Sequence, residues 1–100
     1  MRAQAWLSKR QEISLAGEID FDSAPALDQL VQSLMREAPG IHWKLNMDGV
    51  LKVNSVGLAL LLEWMHFLEQ HQGSLEVLDI PCELIDLARV CGVDEILSVL

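Results

Sequence analysis

Polar and apolar residues alternate along Glu12-Ile13-Ser14-Leu15-Ala16-Gly17, the two-residue period of a strand half-buried on one face. In Ile41-His42-Trp43-Lys44-Leu45-Asn46-Met47 the residues Ile41, Trp43, Leu45 and Met47 share one parity, which predicts a central strand. Ala5-Trp6-Leu7 predicts a weaker first strand, joined to the second by the polar turn Lys9-Arg10-Gln11. Leu75-Glu76-Val77-Leu78 predicts a last, parallel-type strand. Glu18-Ile19-Asp20-Phe21-Asp22 reads as an acidic loop holding two apolar side chains, and Asp48 to Val53 as a turn with a short apolar segment.

Between the strands the period becomes helical. A first helix is predicted from Asp22 or Ser23, either of which can accept the unpaired amide groups of a first turn, with Pro25 inside that turn. Leu27, Leu30, Val31 and Leu34 give it a core-facing stripe, and Pro39-Gly40 ends it. A second helix is predicted over residues 55–72, stopped by Gly73. Pro81 opens a third, with Leu84, Ile85, Leu87, Ala88 and Cys91 facing inward and Gly92 after it, and residues 93–100 predict a short final helix. Strand-helix-strand alternation with short loops implies parallel neighbours joined by right-handed crossovers. The predicted fold class is therefore α/β: one domain over residues 1–100, with a mixed, mostly parallel four-stranded sheet. It has an antiparallel edge strand and three to four helices.

The second helix carries two apolar stripes. Leu58, Leu61, Leu62, Met65 and Leu68 form one, and Leu60, Trp64 and Phe67 form the other. A helix on one face of a sheet needs only one. Either the third helix or the tail covers the second stripe, or Trp64 and Phe67 belong to a protein interface, where aromatic residues are enriched.

Composition narrows the functional classes. The chain has 100 residues, 51% of them hydrophobic and 22% charged, enough for one core and too apolar for disorder. Seven basic residues against 15 acidic ones give a net charge of −8. That balance opposes binding to a phosphate backbone or to an anionic membrane and suits a basic protein partner. Cys82 and Cys91 are the only cysteines. On one helix they would stand about 13 Å apart along the axis on opposite faces, too far to bridge. Both are expected to be reduced, buried thiols. The first ten residues hold no long apolar run, and the longest one in the chain, Val56 to Leu62, is far short of a membrane span.

Catalytic signals are sparse. His66 and His71 are five residues apart, which does not put two ligands on one helix face, and no cysteine lies at ligand spacing from a histidine. No phosphate-binding glycine loop or nucleophile elbow is present, and no nucleophile has a base nearby in sequence. The best enzymatic arrangement on offer is Asp20, Asp48 and Ser55 around a loop pocket. The chain is expected to be a binding module without catalytic residues, metal or cofactor.

The most specific stretch is Leu51-Lys52-Val53-Asn54-Ser55-Val56-Gly57-Leu58-Ala59-Leu60-Leu61-Leu62. It resembles the central motif of STAS domains, the family named for sulphate transporters and anti-sigma-factor antagonists. In that family an Asp-Ser-Ser-Gly-Leu or Asp-Thr-Gly-Gly-Leu turn precedes an apolar helix. Leu15-Ala16-Gly17-Glu18-Ile19-Asp20 is similar to the family's strand-end segment, and the strand after Gly73 followed by Pro81 matches its last third. The resemblance covers nearly the whole chain and implies the SpoIIAA-like fold. Within the family, the small size and the Gly57-to-Leu62 run look most like the STAS subunit of phospholipid-moving ABC transporters. That implies a cytoplasmic, non-catalytic subunit that docks on the transporter ATPase and supports it, reaching the inner membrane only through that partner. The alternative implied is an anti-sigma-factor antagonist controlled by an anti-sigma factor with serine kinase activity. In that branch the serine directly before the glycine is phosphorylated. Here that position is Val56, the usual aspartate is Asn54, and Ser55 is the hydroxyl left for phosphorylation.

Residues 48–54 are expected at the carboxyl end of a strand leading into a helix N-terminus, where sites collect in open α/β sheets. Asn54 or Ser55 can cap that helix, and Gly57 suits close passage of a packed neighbour or a partner. Parallel strands end together, so Glu18, Asp20 and Asp22 are expected beside Ser55 and, with Asp48, to rim Ile19, Phe21 and Val56. The expected partner surface is Glu18, Ile19, Asp20, Phe21, Asn54, Ser55, Val56, Gly57 and Leu58, extended by Trp64.

Overall fold

The structure, a computed structural model, describes residues 2–95. Its elements are β1 (Gln4–Lys9), β2 (Glu12–Ile19), α1 (Ala24–Met35), β3 (His42–Val53), α2 (Ser55–Glu69), β4 (Ser74–Leu78) and α3 (Cys82–Val90). The sheet order is β1-β2-β3-β4; β1 runs antiparallel to β2, and the other two pairs are parallel. This is the predicted mixed four-stranded sheet with an antiparallel edge. Of the predicted final helix, residues 96–100 lie outside the described residues, and residues 94 and 95 form a turn.

The alternation in β3 decides the layering. Trp43, Leu45 and Met47 are buried, while His42 and Lys44 between them are exposed. The three helices pack on one another, α1 against α2 and α2 against α3. They therefore cover one face of the sheet, as two successive right-handed crossovers require, and leave the other face open, where Trp6, 45% exposed, pairs with Ser14 beside polar residues of β3. The core lies between the layers: Ile13, Leu15, Trp43, Leu45 and Met47 from the strands meet Leu27, Val31, Met35, Leu61, Trp64, Leu68 and Leu84 from the helices. On the open face His42 ties β3 to the edge strand β4. Its Nδ1 lies 2.6 Å from Ser74 Oγ and its Nε2 3.1 Å from Glu76 Oε1.

Several expectations are corrected. β3 runs straight through Asp48 to Val53, with register shifts against β2 between Ser14 and Ala16 and between Gly17 and Glu18. The buried stripe of α1 is Ala24, Leu27, Val31 and Met35, and Leu30 is 48% exposed. A side chain seven residues after Ala24 and eleven after it stays on the inward line, while Leu30 is turned past the edge of that line. Cys82 and Cys91 are both exposed free thiols, not buried ones, because α3 buries only Leu84 and Ala88 and packs Leu87 at the core's edge. Ser23 precedes α1, but its side chain makes no cap hydrogen bond there. Trp64 is in the core at 1% exposure, and its indole N–H donates to Asp28 Oδ1 on α1 at 2.8 Å. The second stripe of α2 is thus covered at Leu60 and Trp64 by the neighbouring helix layer, and only Phe67 is half-buried, tilted against the His71 ring.

Candidate functional site

β2 and β3 end level with each other. Ile19 pairs with Val53, and one rung further the Asn54 N–H donates to the Ile19 carbonyl at 3.4 Å. The loop after β2 and the start of α2 therefore lie side by side at the carboxyl edge of the sheet, as the parallel arrangement requires.

The α2 side is set by Asn54. Its backbone is extended, and its side-chain Oδ1 accepts the Val56 N–H at 3.0 Å, which makes Asn54 the cap. Ser55 becomes the first helical residue. It is exposed, and its hydroxyl makes no hydrogen bond among the described residues. Val56 is half-buried. Gly57 is buried, and a Cβ there would overlap Val53 Cγ2. The neighbour that Gly57 accommodates is thus Val53 of its own chain.

The β2 side is a locked loop. The Ser23 N–H donates to Asp20 Oδ1 at 2.9 Å, and the Asp20 N–H donates to Ser23 Oγ at 3.0 Å. The Ser23 hydroxyl donates on to the Glu18 carbonyl at 3.2 Å. Ser23 thus fastens the loop instead of capping α1. Its backbone N–H holds the Asp20 carboxyl below the usual carboxylate range against the opposing effect of burial, with lesser help from the Ser23 hydroxyl and the Asp22 amide. Gly17 sits at φ +90°, where a Cβ would run into the Arg2 carbonyl. That close passage lets residue 2 bridge to Glu18 and brings the Arg2 side chain to the loop. At the apex, between Asp20 and Asp22, Phe21 is 70% exposed.

Two shallow, joined depressions mark this edge. One of about 290 Å³ is lined by Arg2, Glu18, Asp20, Asp22 and Ser23. The other, about 240 Å³, is lined by Glu18, Ile19, Asp20, Lys52, Val53, Asn54 and Glu83. The sequence-predicted residues Glu18, Asp20, Phe21, Asn54, Ser55 and Val56 are brought together at the surface. Ile19 and Leu58, 3% and 5% exposed, and Gly57 lie beneath it and shape it. Trp64 is corrected out of the surface, since it is sealed under α1. Asp48 is corrected out of the rim: it lies within β3, six residues before Asn54 and about 20 Å away along an extended chain.

Glu83, from the start of α3, was not anticipated; only the return of the chain after β4 reveals it. The fold also joins His42 with Ser74, 32 residues apart, and with Glu76. These partners are about half exposed on the open sheet face and form a cross-strand tie. Among the described residues, no group of three or more His, Cys, Asp or Glu could hold a metal ion, and no helix is long and apolar enough to cross a membrane.

Comparison with known proteins gives the chain its family. A family model described as "Mlab, STAS domain" matches residues 3–99. The chain is 26% identical over 88 residues to the anti-sigma-B factor antagonist of Bacillus subtilis (strain 168), spanning 88% of this chain and 79% of that relative. Among solved structures, a chain of the Acinetobacter MlaFEDB complex in the ATP-bound Vtrans2 conformation superposes with a TM-score of 0.75 at 21% identity, covering 97% of this chain and 99% of the other. An anti-sigma factor antagonist from Mycobacterium paratuberculosis gives 0.77 at 22% identity, covering 94% and 81%. Unphosphorylated SpoIIAA, an anti-sigma factor antagonist, gives 0.72 at 17% identity, covering 93% and 83%. With the family match running through both motifs and all seven elements, the chain belongs to the STAS domain family.

Proposed function

We propose that the chain is a single, non-catalytic STAS domain that docks on the ATPase of an Mla-type phospholipid ABC transporter and supports that ATPase. The observation that carries this reading is the surface at residues 18–22 and 54–56. There a free Ser55 hydroxyl and an exposed aromatic residue stand beside carboxylates on a rigid edge, while the residue directly before Gly57 is Val56. An apolar centre within a charged rim is the anatomy of a protein interface. A valine at that position offers no hydroxyl for the switch of the antagonist branch. The end-to-end likeness to a chain of the MlaFEDB complex supports the same reading. The domain would sit on the cytoplasmic side of the inner membrane, held there by its partner, and would need no cofactor.

The test is binding of the purified chain to the ATPase subunit of its host's Mla-type transporter. Phosphate or its mimic on Ser55 would add about two negative charges to the contact surface. Ser55→Glu should therefore weaken the complex more than Ser55→Ala does. Equal retention of the two variants would overturn the placement of Ser55 at the contact. The likeness to the Bacillus subtilis antagonist favours a second reading, an anti-sigma-factor antagonist. Incorporation of phosphate at Ser55 by a host serine kinase, with loss of kinase binding, would select it.

A further inference from the structure

The most exposed aromatic side chain among the described residues is held in a loop closed by side-chain and backbone hydrogen bonds. Phe21 is 70% exposed, whereas Trp43 and Trp64 are buried with their indole N–H groups bonded to Ala38 and Asp28. The loop carrying Phe21 is closed by the reciprocal Asp20–Ser23 hydrogen bonds, and the Ala24 N–H closes onto the Asp20 carbonyl at 3.0 Å. An apolar side chain on a mobile loop would lose conformational freedom on binding; here the fold has already ordered its backbone. Phe21 contributes little to the core, so packing gives no account of it.

Its surroundings define what it fits. Glu18, Asp20, Asp22 and Glu83 outnumber Arg2 and Lys52 around the two depressions, within a chain of net charge −8. Carboxylates on both sides of the ring oppose insertion among anionic lipid headgroups. They suit a protein pocket with apolar walls and a rim of lysine and arginine. We propose that Phe21 is the anchor of the docking surface, inserting into such a basic-rimmed pocket. This inference rests on the docking function proposed above.

The test titrates the full chain and its variants against the ATPase subunit of the host's Mla-type transporter by surface-immobilised binding kinetics. Phe21→Ala should weaken binding at least tenfold, mainly through faster dissociation, with an unchanged melting temperature because the ring is exposed. Phe21→Leu should stay within about threefold of wild type, since it keeps most of the apolar contact. Asp22→Asn should slow association and flatten its dependence on salt. Phe21→Ala binding within twofold of wild type would overturn the anchor while leaving the docking function intact. A wild-type chain that does not bind the ATPase would overturn both. Sedimentation of the wild type, but not Phe21→Ala, with vesicles of three parts phosphatidylethanolamine to one part phosphatidylglycerol would replace the protein pocket with a lipid surface.

Discussion

Gly57→Ala sets two effects of opposite sign against each other. In an ordinary helix the change gains up to about 1 kcal/mol of propensity. At this position the added methyl overlaps Val53 Cγ2, at the end of β3. Val53 is 8% exposed, and its branched side chain is stiff, so it cannot swing away freely. Overpacking of this kind costs about 1–3 kcal/mol, which leaves the variant destabilised by about 1 kcal/mol. Val53→Ala alone removes two largely buried methyl groups and should cost roughly 1.5 kcal/mol or more. In the double variant the methyl introduced at residue 57 occupies the space vacated at residue 53. The clash disappears, the propensity gain returns, and the double variant should be more stable than Val53→Ala alone. Urea unfolding followed by circular dichroism gives the coupling from the four proteins, expected at about 2 kcal/mol in favour of the pair. A stabilised Gly57→Ala variant, or additivity within about 0.5 kcal/mol, would refute the claim that Val53 is why residue 57 lacks a side chain.

Two further outcomes follow from the hydrogen bonds. Trp64→Phe removes the donor to Asp28 Oδ1 and leaves a gap beneath α1, so it should cost about 1–3 kcal/mol in urea unfolding; a loss under 0.5 kcal/mol would show that the pair adds nothing to the α1–α2 contact. The lowered Asp20 pKa means its carboxylate favours the folded state fully above the ordinary carboxylate range near 4 and loses that effect as pH falls through the lower folded value. The gap in melting temperature between wild type and Asp20→Asn should therefore be constant from pH 7 to about 5 and close below 4. A gap that persists unchanged to pH 2.5 would contradict the Ser23 contact.

The parts of the molecule governed by period were legible in the chain. The shared parity of Trp43, Leu45 and Met47 marks the central strand and its buried face, and Pro25 sits in the first turn of α1. The neighbourhood of residues 18–22 and 54–56 followed from parallel strands ending level. Asp48-Gly49 misled because its turn chemistry is overridden by pairing with β2, which absorbs the extra residue as a register shift. Leu30 misled because a helical stripe is wider in sequence than the face a neighbouring layer can cover. Trp64 could not be placed from α2 alone. Its burial depends on α1, whose Asp28 satisfies the indole at a separation of 36 residues. The exposure of Cys82 and Cys91 has the same origin: inwardness on the short helix α3 is set by how few of its turns touch the core.

The sheet with one clothed side and one bare side has a mechanical corollary. Every large buried side chain of the strands is covered by the same single stack of helices, so no second hydrophobic layer exists among the described residues to hold a fragment together. α1 rests on β1, β2 and α2, and α2 on β4 and α3, so losing either helix opens the core the other shares, and the described residues are expected to unfold as one cooperative unit. Both lips of the candidate edge follow the ends of strands bonded to each other and roofed by that stack, so a partner docking there would meet a fixed die rather than a pair of independent fingers.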